Sequence, residues 1–530
     1  MHITNCSKNV QKQMQFAINN NPKSPKKLLV FMKKYIVKMQ ARVFDVEAKK
    51  MVCILNEADA KELGVFALDR IHVSNPKTKN FIHSVVDLTD SFVKKRQIGM
   101  FKDIAQLLNI KNGSEALVSA ESQPKSISYI RDKLDGKTLS KEQLMEIVSD
   151  MKSNKLSDVE ATAFVTAVYI NGFDLSETIA MTKALVKGGK KISFNGSKKV
   201  VDKHSIGGTN GRTTLIVVPI IAANGLFIPK TSSRTITSAA GTADAMETLA
   251  PVNLSIEKIK SITEKIGGVI VWGGAVDLAP VDDKIIKIEH PLSLDPQGQV
   301  IASVMAKKSS AGAKFLAIDL PIGFEAKIKD KKHGKEISKK FIAVGEELGI
   351  KVKTMLSDGE TPSGKAFGPA LEAKYALETL EGKIFDNLAE KSLQIAGALL
   401  ELSGKEALGH GVAAAKKTLE SGAALHKMKE IIRAQGGKVF SSEQLKPAEF
   451  KKTVFSKKSG KIKKIHIKKC IEIARLAGAP ADKKAGVLLS KNTGEFAEKN
   501  RPLFEIFAEN REKLALALSY ARKNNPVEIE

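Results

Sequence analysis

The stretch KVVDKHSIGGTNGRTTLIVVPIIAANGLFIPKTS, residues 199–232, decides the fold of this 530-residue chain. It reads as a strand ending in Lys203-His204-Ser205, a glycine turn, a helix beginning near Thr213, and a second strand. Leu215 to Ala223 is too apolar for a surface, so the polar residues ahead of it lie at the end of a buried segment. Because α/β proteins keep their binding sites at such strand ends, the stretch predicts an α/β domain with a site at this turn.

The alternation of strands and helices continues towards the C-terminus. A helix after Ala239 is followed by three strand-like runs, VIVWGG at 269–274, FLAIDLPIG at 315–323 and KVKTMLSD at 351–358. This alternation predicts a mostly parallel sheet covered by helices on both faces. We therefore expect a large α/β domain on a mixed sheet over residues 199–440.

The flanking regions show other patterns. Short β-like runs alternate with turn residues over 39–118, which predicts a small β-rich N-terminal domain in which Asn56 caps one short helix. Residues 119–198 have helical periodicity and predict a helical domain, with Ser176 at one helix start. Residues 441–530 mix strand-like runs and helices, which predicts a C-terminal α+β domain.

The first 38 residues contain no Asp or Glu and include a basic stretch. A strand-like run follows Met39, so we expect translation to start at Met39 and residues 1–38 to be a disordered or untranslated extension. A membrane-surface segment or a presequence is the alternative.

Composition excludes several classes of protein. No run approaches the roughly 20 apolar residues of a membrane span, and the three cysteines are far apart, so neither a disulfide framework nor a metal site is indicated. The net charge of +27 would suit nucleic acid, but the cations are mostly Lys and only 5% of residues are aromatic. We expect a cytoplasmic protein with anionic small-molecule substrates and no membrane or nucleic-acid partner.

The quoted turn has the features of an anion site. Backbone N–H groups of the glycine turn and of the helix N-terminus point at one place, and Lys203, Ser205 and Thr214 can close around it. An ordinary strand-to-helix turn is the alternative.

A second polar cluster, KTSSRTITSAAGTAD at 230–244, again lies between a strand and a helix. A solvated loop is one interpretation, but Arg234 within it suits a bidentate contact to phosphate.

Four motifs together resemble the thymidine and pyrimidine nucleoside phosphorylase family: VDKHSIGGTNGRTT, IPKTSSRTITSAAGTAD, SLDPQGQVIASVMAKK and IEIARLAGAPADKKAGV. The resemblance runs from about Met39 to the C-terminus. It implies that phosphate attacks the sugar anomeric carbon while the base leaves, and that the helical domain, with residues 286–310, lies across a cleft from the α/β domain. It also implies that His204 lies beside sugar and base as a catalytic residue. The implied phosphate ligands are Lys203, Ser205, Thr214, Ser232 and Thr242.

The match is closest to the archaeal nucleoside monophosphate phosphorylase branch. Several glycines of the nucleoside enzymes are hydroxyl residues here, which adds donors for a 5′-phosphate. The implied nucleotide contacts are Gly207, Ser233, Arg234, Thr235, Ile236, Thr237, Ser238, Thr242, Ser303, Lys307 and Lys327.

The base end of the site also departs from the nucleoside enzymes. Ile288 aligns with their base-contacting Arg, which leaves open whether Lys287 or His290 replaces it. Asp295 resembles the proton donor to the departing base, a role that needs a pKa raised by burial or by nearby phosphates.

These residues predict phosphorolysis of nucleoside 5′-monophosphates, AMP first and CMP or UMP next, to free base and ribose 1,5-bisphosphate. Phosphate is the co-substrate, no cofactor is expected, and the family resemblance implies a homodimer or a larger homo-oligomer. The alternatives are a phosphorylase of thymidine or uridine and a basic nucleic-acid-binding protein.

Overall fold

The computed structural model describes residues 35–194, 198–207, 210–235 and 238–530. Most of the expected N-terminal extension, and the candidate site residues Ile236 and Thr237, lie outside the described residues. The chain divides into two compact units: one runs up to Pro124 and includes Ser153–Ser157, and the other comprises Lys125–Lys152 and Asp158–Glu530.

The first unit is a closed β-barrel. Its strands are β1 Val37–Phe44, β2 Val52–Asn56, β3 Arg70–Ser74, β4 Phe81–Thr89, β5 Gln97–Phe101 and β6 Glu115–Ala120. They are arranged in the order β1-β5-β2-β4-β3-β6. Alternate residues of β1, among them Val37 and Met39, point into the barrel, which side chains fill.

Two short helices accompany these strands, α1 Glu57–Leu63 and α2 Lys102–Leu108. The side chain of Asn56 accepts a hydrogen bond of 3.1 Å from the Ala58 N–H and so caps α1, as predicted.

The second unit contains the remaining helices and strands. Its helices are α3 Ser126–Leu134, α4 Lys141–Lys152, α5 Asp158–Asn171, α6 Leu175–Gly188, α7 Thr214–Ala223, α8 Thr242–Glu247, α9 Ile256–Ile266, α10 Pro280–Glu289, α11 Gln297–Ser310, α12 Lys331–Glu347, α13 Pro369–Leu380, α14 Asn387–Leu402, α15 Gly411–Glu420, α16 Ala423–Ala434, α17 Ile467–Leu476 and α18 Arg511–Lys523. Its strands are β7 Val201–Ser205, β8 Ile228–Ser232, β9 Gly268–Trp272, β10 Phe315–Ile322, β11 Lys351–Asp358, β12 Ala366–Phe367, β13 Phe450–Phe455, β14 Gly460–Ile465, β15 Gly486–Leu489, β16 Phe496–Ala497, β17 Pro502–Ala508 and β18 Val527–Ile529. Across the described ranges, no helix is both long and apolar enough to span a bilayer.

Helices α3 to α6 form a bundle, against which the later helices α10 and α11 pack. Gly298 at the start of α11 lets the two segments approach closely, because a Cβ at that position would lie 2.7 Å from the Cβ of Phe173. Ser176 lies in the first turn of α6, at a helix start as predicted, and Asp174 is the N-cap. Asp174 forms a capping box with Glu177, and the Ser176 hydroxyl donates to the Asp174 carboxylate.

The quoted stretch forms the centre of a parallel sheet. Strand β10 pairs in parallel with β11 and β7, and β8 pairs in parallel with β9. A parallel bridge between Val200 and Phe227 connects the two groups of strands. Helix α7 is buried along nearly its whole length against β9 and helices α13 to α16. The carboxyl ends of β7, β8 and β10 therefore meet at one edge, fixed by a fully buried helix.

The C-terminal residues form antiparallel sheets with the orders β12-β15-β17-β13 and β16-β14-β18. Helices α17 and α18 pack together beside them over a separate apolar core.

Candidate active site

Four side chains, from β7, β10, β11 and α14, meet near the carboxyl ends of these parallel strands. The Ser205 hydroxyl donates to Asp319 at 2.5 Å, and Ser357 donates to the other oxygen of the same carboxylate. Lys391 on α14 donates to Ser357 at 2.9 Å and lies 3.6 Å from Asp319. Asp319 is 1% exposed and was not predicted as a site residue. It organises the edge of the sheet that the sequence identified.

Lys203 lies beside this group and joins the strand to the helix that follows it. Its Nζ donates to the Thr213 hydroxyl at 2.7 Å, and the side chain is 2% exposed. Burial lowers the pKa of Lys203 to about 8, although the carboxylates of Asp319 and Asp202 act in the opposite direction. Thr214, the first residue of α7, is also buried here.

Two further lysines surround Asp202, at distances of 2.8 Å for Lys308 and 3.4 Å for Lys230. Both lysines are buried, and burial holds the pKa of Lys230 well below its usual range. With Lys203 and Lys391 they form a group of four, the lysine cluster, around the carboxylates of Asp202 and Asp319.

Two further candidate site residues lie on the strands that carry Lys203 and Lys230. The hydroxyl of Ser232, at the end of β8, is buried and has no hydrogen-bond partner within the described ranges. His204 experiences burial and the positive charges of Lys308 and Lys230, which hold its pKa well below its ordinary value. At neutral pH its imidazole is therefore uncharged and cannot serve as a cationic acid.

Gly207, Lys327 and Asp295 come together on the other side of the turn. Gly207 has a φ of +83°, and a Cβ there would lie 3.1 Å from Cγ of Lys327. The Lys327 Nζ lies 2.5 Å from the carboxylate of Asp295. Their side chains are 50% and 43% exposed, so of the two conditions predicted for Asp295, burial or nearby phosphates, burial is not met in the structure. The Lys327–Asp295 pair is the open part of the site.

Ser303 and Lys307 share one face of α11, as their spacing suggests, and both bind Asp282. The Ser303 hydroxyl donates to Asp282 at 2.7 Å, and the Lys307 Nζ lies 2.7 Å from the same oxygen and 3.2 Å from Asp283. Burial opposes the charge of Lys307, but these two carboxylates outweigh it and raise its pKa to about 12. Asp282 is fully buried and was also missed from the sequence.

Around Ile288, which aligns with the base-contacting Arg of the nucleoside enzymes, the side chain with a buried polar atom is Glu289. Lys287 and His290 are exposed, whereas Glu289 between them has a buried oxygen with no hydrogen-bond partner among the described residues. Burial, together with the charges of Asp282 and Asp295, raises the pKa of Glu289 to about 8. No spacing in the sequence distinguishes this carboxyl from the exposed ones around it.

The loop after β8 is organised by Asp244, which was not predicted. Its carboxylate accepts from the backbone N–H groups of Thr235 at 2.7 Å and Gly241 at 2.9 Å. A Cβ at Gly241 would lie 2.6 Å from the backbone, so only glycine fits this turn. Thr235 and Ser238 bond to each other, which directs both hydroxyls into the loop.

Arg234 also points into the protein. Its guanidinium donates to Glu247 at 2.7 Å and lies over the Trp272 ring at 5.0 Å. The bidentate fork expected to hold a phosphate is occupied by a carboxylate in this structure. Ser233 is exposed, and Thr242 begins α8.

Two of the residues missed from the sequence, Lys230 and Lys308, had a sequence pattern that could have identified them. Lys230 and Lys308 lie inside the quoted motifs, next to residues that were selected, so their positions at strand and helix ends could have identified them. In the part of the chain that the structure describes, no group of His, Cys, Asp and Glu side chains has the arrangement of a metal site.

Two family models match the chain. The helical bundle domain of a glycosyl transferase family matches residues 127–189, and the a/b domain of a glycosyl transferase family matches residues 197–425. The second model spans the lysine cluster and the Lys327–Asp295 pair.

Similar proteins extend over nearly the whole chain. The AMP phosphorylase of Methanococcus aeolicus is 41% identical over 93% of this chain and 97% of its own length. AMP phosphorylase 1 of Archaeoglobus fulgidus is 44% identical over 91% of this chain and 95% of its own length. The AMP phosphorylase of Methanocella arvoryzae is 42% identical over 93% of this chain and 98% of its own length.

A solved structure supports the fold alone. The anthranilate phosphoribosyltransferase of Thermus thermophilus has a TM-score of 0.50 and 18% identity, covering 58% of this chain and 99% of that one. The predicted α/β fold class, with its accompanying helical domain, is thereby confirmed.

Proposed function

This chain belongs to the AMP phosphorylase branch of the pyrimidine nucleoside phosphorylase family, and from that premise we propose how its site phosphorolyses AMP. Membership confirms the resemblance that the four motifs indicated. The enzyme is a pentosyltransferase: an oxygen of inorganic phosphate bonds to C1′, the bond from C1′ to the base nitrogen breaks, and the base takes up a proton. The products are adenine and ribose 1,5-bisphosphate, and CMP and UMP are further candidate substrates.

The observation that carries this mechanism is the lysine cluster, together with the Ser232 hydroxyl, which is buried and has no hydrogen-bond partner among the described residues. Buried cations in a low-dielectric site attract a dianion strongly, and their rigid positions spare the reaction reorganisation when charge develops. Lys203 and Ser232 would hold the attacking phosphate, with Ser205, Thr214 and Thr242 as further ligands. Such a set of cations and hydroxyls fits a reaction that needs positioning of the phosphate and neutralisation of its charge more than a covalent nucleophile.

His204 would contact the sugar and base as a neutral imidazole. Because burial, together with the surrounding lysines, lowers the pKa of His204 and keeps it uncharged, we assign it hydrogen bonding to the substrate and leave protonation of the base to a carboxyl group.

Lys327 would bind the 5′-phosphate of AMP, and by leaving Asp295 it would favour the protonated form of that carboxyl group. In the structure Lys327 pairs with Asp295. A nucleotide phosphate that recruits Lys327 would remove this cation from Asp295 and place negative charge nearby, and both changes favour the protonated carboxyl. Asp295 would then donate its proton to the departing base only when a nucleotide is present.

The remaining nucleotide contacts belong to the same proposal. Ser303 and Lys307 would contact the nucleotide from α11, and Gly207 would leave space for Lys327 to move. Ser233, Arg234, Thr235, Ile236, Thr237 and Ser238 would contact the 5′-phosphate, and Thr235 and Ser238, whose hydroxyls bond to each other in the structure, would exchange that bond for one to the phosphate.

We also propose that the enzyme is cytoplasmic, uses no cofactor beyond its co-substrate phosphate, and forms a homodimer or a larger homo-oligomer. The domain boundaries set out from the sequence, with residues 286–310 closing the cleft from the helical side, complete the proposal, except that the barrel domain includes Val37 and Lys38, which begin β1.

Phosphorus NMR tests this function. Purified protein with phosphate and AMP should yield a sugar bisphosphate with one new anomeric phosphate signal, and adenosine and thymidine should yield none. Turnover of nucleosides alone would favour the thymidine or uridine phosphorylase alternative. No turnover of any of the three would reject phosphorolysis.

A further inference from the structure

Lys327 lies in a tight loop, residues 323–328, between β10 and α12. A parallel bridge between Ile322 and Ile328 closes its base, and the Gly323 N–H donates to the Ile328 carbonyl at 3.0 Å. Ala326 and Ile328 on either side of Lys327 are buried, whereas Lys327 is half-exposed. The loop therefore directs Lys327 outward, and a displacement of the loop would displace Lys327.

The tip of this loop is held by the C-terminal residues. The carboxylate of Glu325, two positions before Lys327, accepts from His466 Nδ1 at 3.1 Å and from the backbone N–H of Lys468 at 2.9 Å. Lys468 lies in the first turn of α17, whose N–H groups lack partners within the helix. Glu325 therefore caps a helix of the C-terminal region with a side chain from the Lys327 loop.

His466 is held from both sides. Its Nε2 lies 2.6 Å from Glu528 on β18, opposite the contact to Glu325, and the side chain is 17% exposed. The hydrogen bond from His466 lowers the pKa of Glu528. An imidazole fixed between two carboxylates has one orientation, so Nδ1 stays directed at Glu325.

A second contact supports the same loop. Phe324 donates its backbone N–H to Glu360, whose carboxylate lies 3.6 Å from Lys464. The Lys464 ammonium also lies 5.6 Å from the centre of the Phe324 ring. Lys464 and His466 come from one short segment, so the C-terminal region contacts the loop at adjacent points.

We infer that His466 is a positioning residue for the nucleotide: through Glu325 it holds Lys327 where it can bind the 5′-phosphate. The inference rests on the nucleotide role proposed for Lys327. His466 touches neither phosphate nor base in this arrangement, so it acts on nucleotide affinity and leaves the attacking phosphate unaffected.

The first test is His466→Ala in the full-length protein, with steady-state constants for AMP and phosphate determined separately. Loss of one charge-assisted hydrogen bond should raise KM for AMP about tenfold, with kcat and KM for phosphate within about threefold. His466→Asn keeps an amide donor near the position of Nδ1 and should recover most of the loss. His426→Ala is the matched control, because His426 is 78% exposed and pairs only loosely, at 3.6 Å, with Glu430 on its own helix.

A double-mutant cycle separates positioning from general stability. If His466 acts through Lys327, His466→Ala should add less than about twofold to the KM for AMP in a Lys327→Ala background. Equal effects of His466→Ala in both backgrounds, or parallel losses in both KM values, kcat and thermal midpoint, would overturn the inference.

A binding measurement distinguishes failure of this inference from failure of the proposed function. If the wild-type protein did not turn over AMP, calorimetric titration with AMP would decide the inference: weaker binding by His466→Ala than by His426→Ala supports it, and equal binding overturns it.

Discussion

Lys203 of the lysine cluster lies on β7, and the Lys327–Asp295 pair lies beside Gly207, just after that strand, yet the two groups are built differently. Lys203 and Lys308 are each 2% exposed and are fixed by buried partners. Lys327 and Asp295 are about half exposed, and within the described residues their charged ends pair with each other. One part of the site is therefore held by buried contacts, whereas under the proposed function the other would exchange a partner when substrate binds.

The difference fits the chemistry that we propose for each part. A phosphate dianion needs a fixed positive field, and burial strengthens that field while raising the cost of keeping each lysine charged. A proton donor needs two states, and exposed side chains change partners at small energetic cost. We therefore expect activity to fall most when a side chain of the buried part is removed. At the open part, we expect activity to depend on which substrate is bound.

The largest expected effect is on the buried part. Lys203→Ala removes one fixed cation and the hydrogen bond to Thr213, and kcat/KM for phosphate should fall about a thousandfold. Lys314→Ala is the control, since Lys314 is exposed just ahead of β10, at the opposite end of the sheet. Equal activity of the two variants would contradict a fixed phosphate site at the carboxyl edge.

In the open part, Asp295→Asn should lower kcat about a hundredfold, because the base would leave without a proton. AMP affinity should change little, since Asp295 competes with the substrate for Lys327 and does not bind it. Steady-state turnover and AMP titration measure the two quantities. Wild-type turnover in the variant would remove Asp295 from the mechanism and make Glu289 the carboxyl to test next.

The buried part should also show a pH limit. Lys203 is charged below its pKa of about 8 in the free protein and neutral above it. Since kcat/KM reports the free enzyme, its value for phosphate should fall about tenfold per pH unit above that point. A pH profile from 7 to 10 measures this, and a flat profile across about pH 8 would show that Lys203 does not supply the required charge.

The smallest expected effect concerns α11. Ser303→Ala removes one hydrogen bond to Asp282 but leaves Lys307 on the same carboxylate, so stability should fall by about 1 kcal/mol. The KM for AMP should rise less than about threefold. A thermal melt and an AMP titration measure both, and a large loss of affinity would assign Ser303 a direct role stronger than the structure suggests.

The sequence predicted the α/β order because strand, glycine turn and apolar helix each have a local pattern. It also placed Lys203, Ser205 and Ser232 correctly at strand ends, since parallel strands bring their carboxyl ends together. It missed Asp282, Asp319 and Glu289, because their burial depends on pairings between segments far apart in the chain. It assigned Arg234 to a phosphate, whereas Glu247 on the following helix occupies its fork, a contact with no local signature.

Equilibrium titration of phosphate and AMP separately against Lys203→Ala and Lys327→Ala tests the division of the site most directly. We predict that Lys203→Ala loses phosphate binding while AMP affinity changes less than about threefold, and that Lys327→Ala loses AMP affinity while phosphate binding is kept. If each variant weakened both ligands equally, the fixed and open parts would not be separate, and the account would be contradicted.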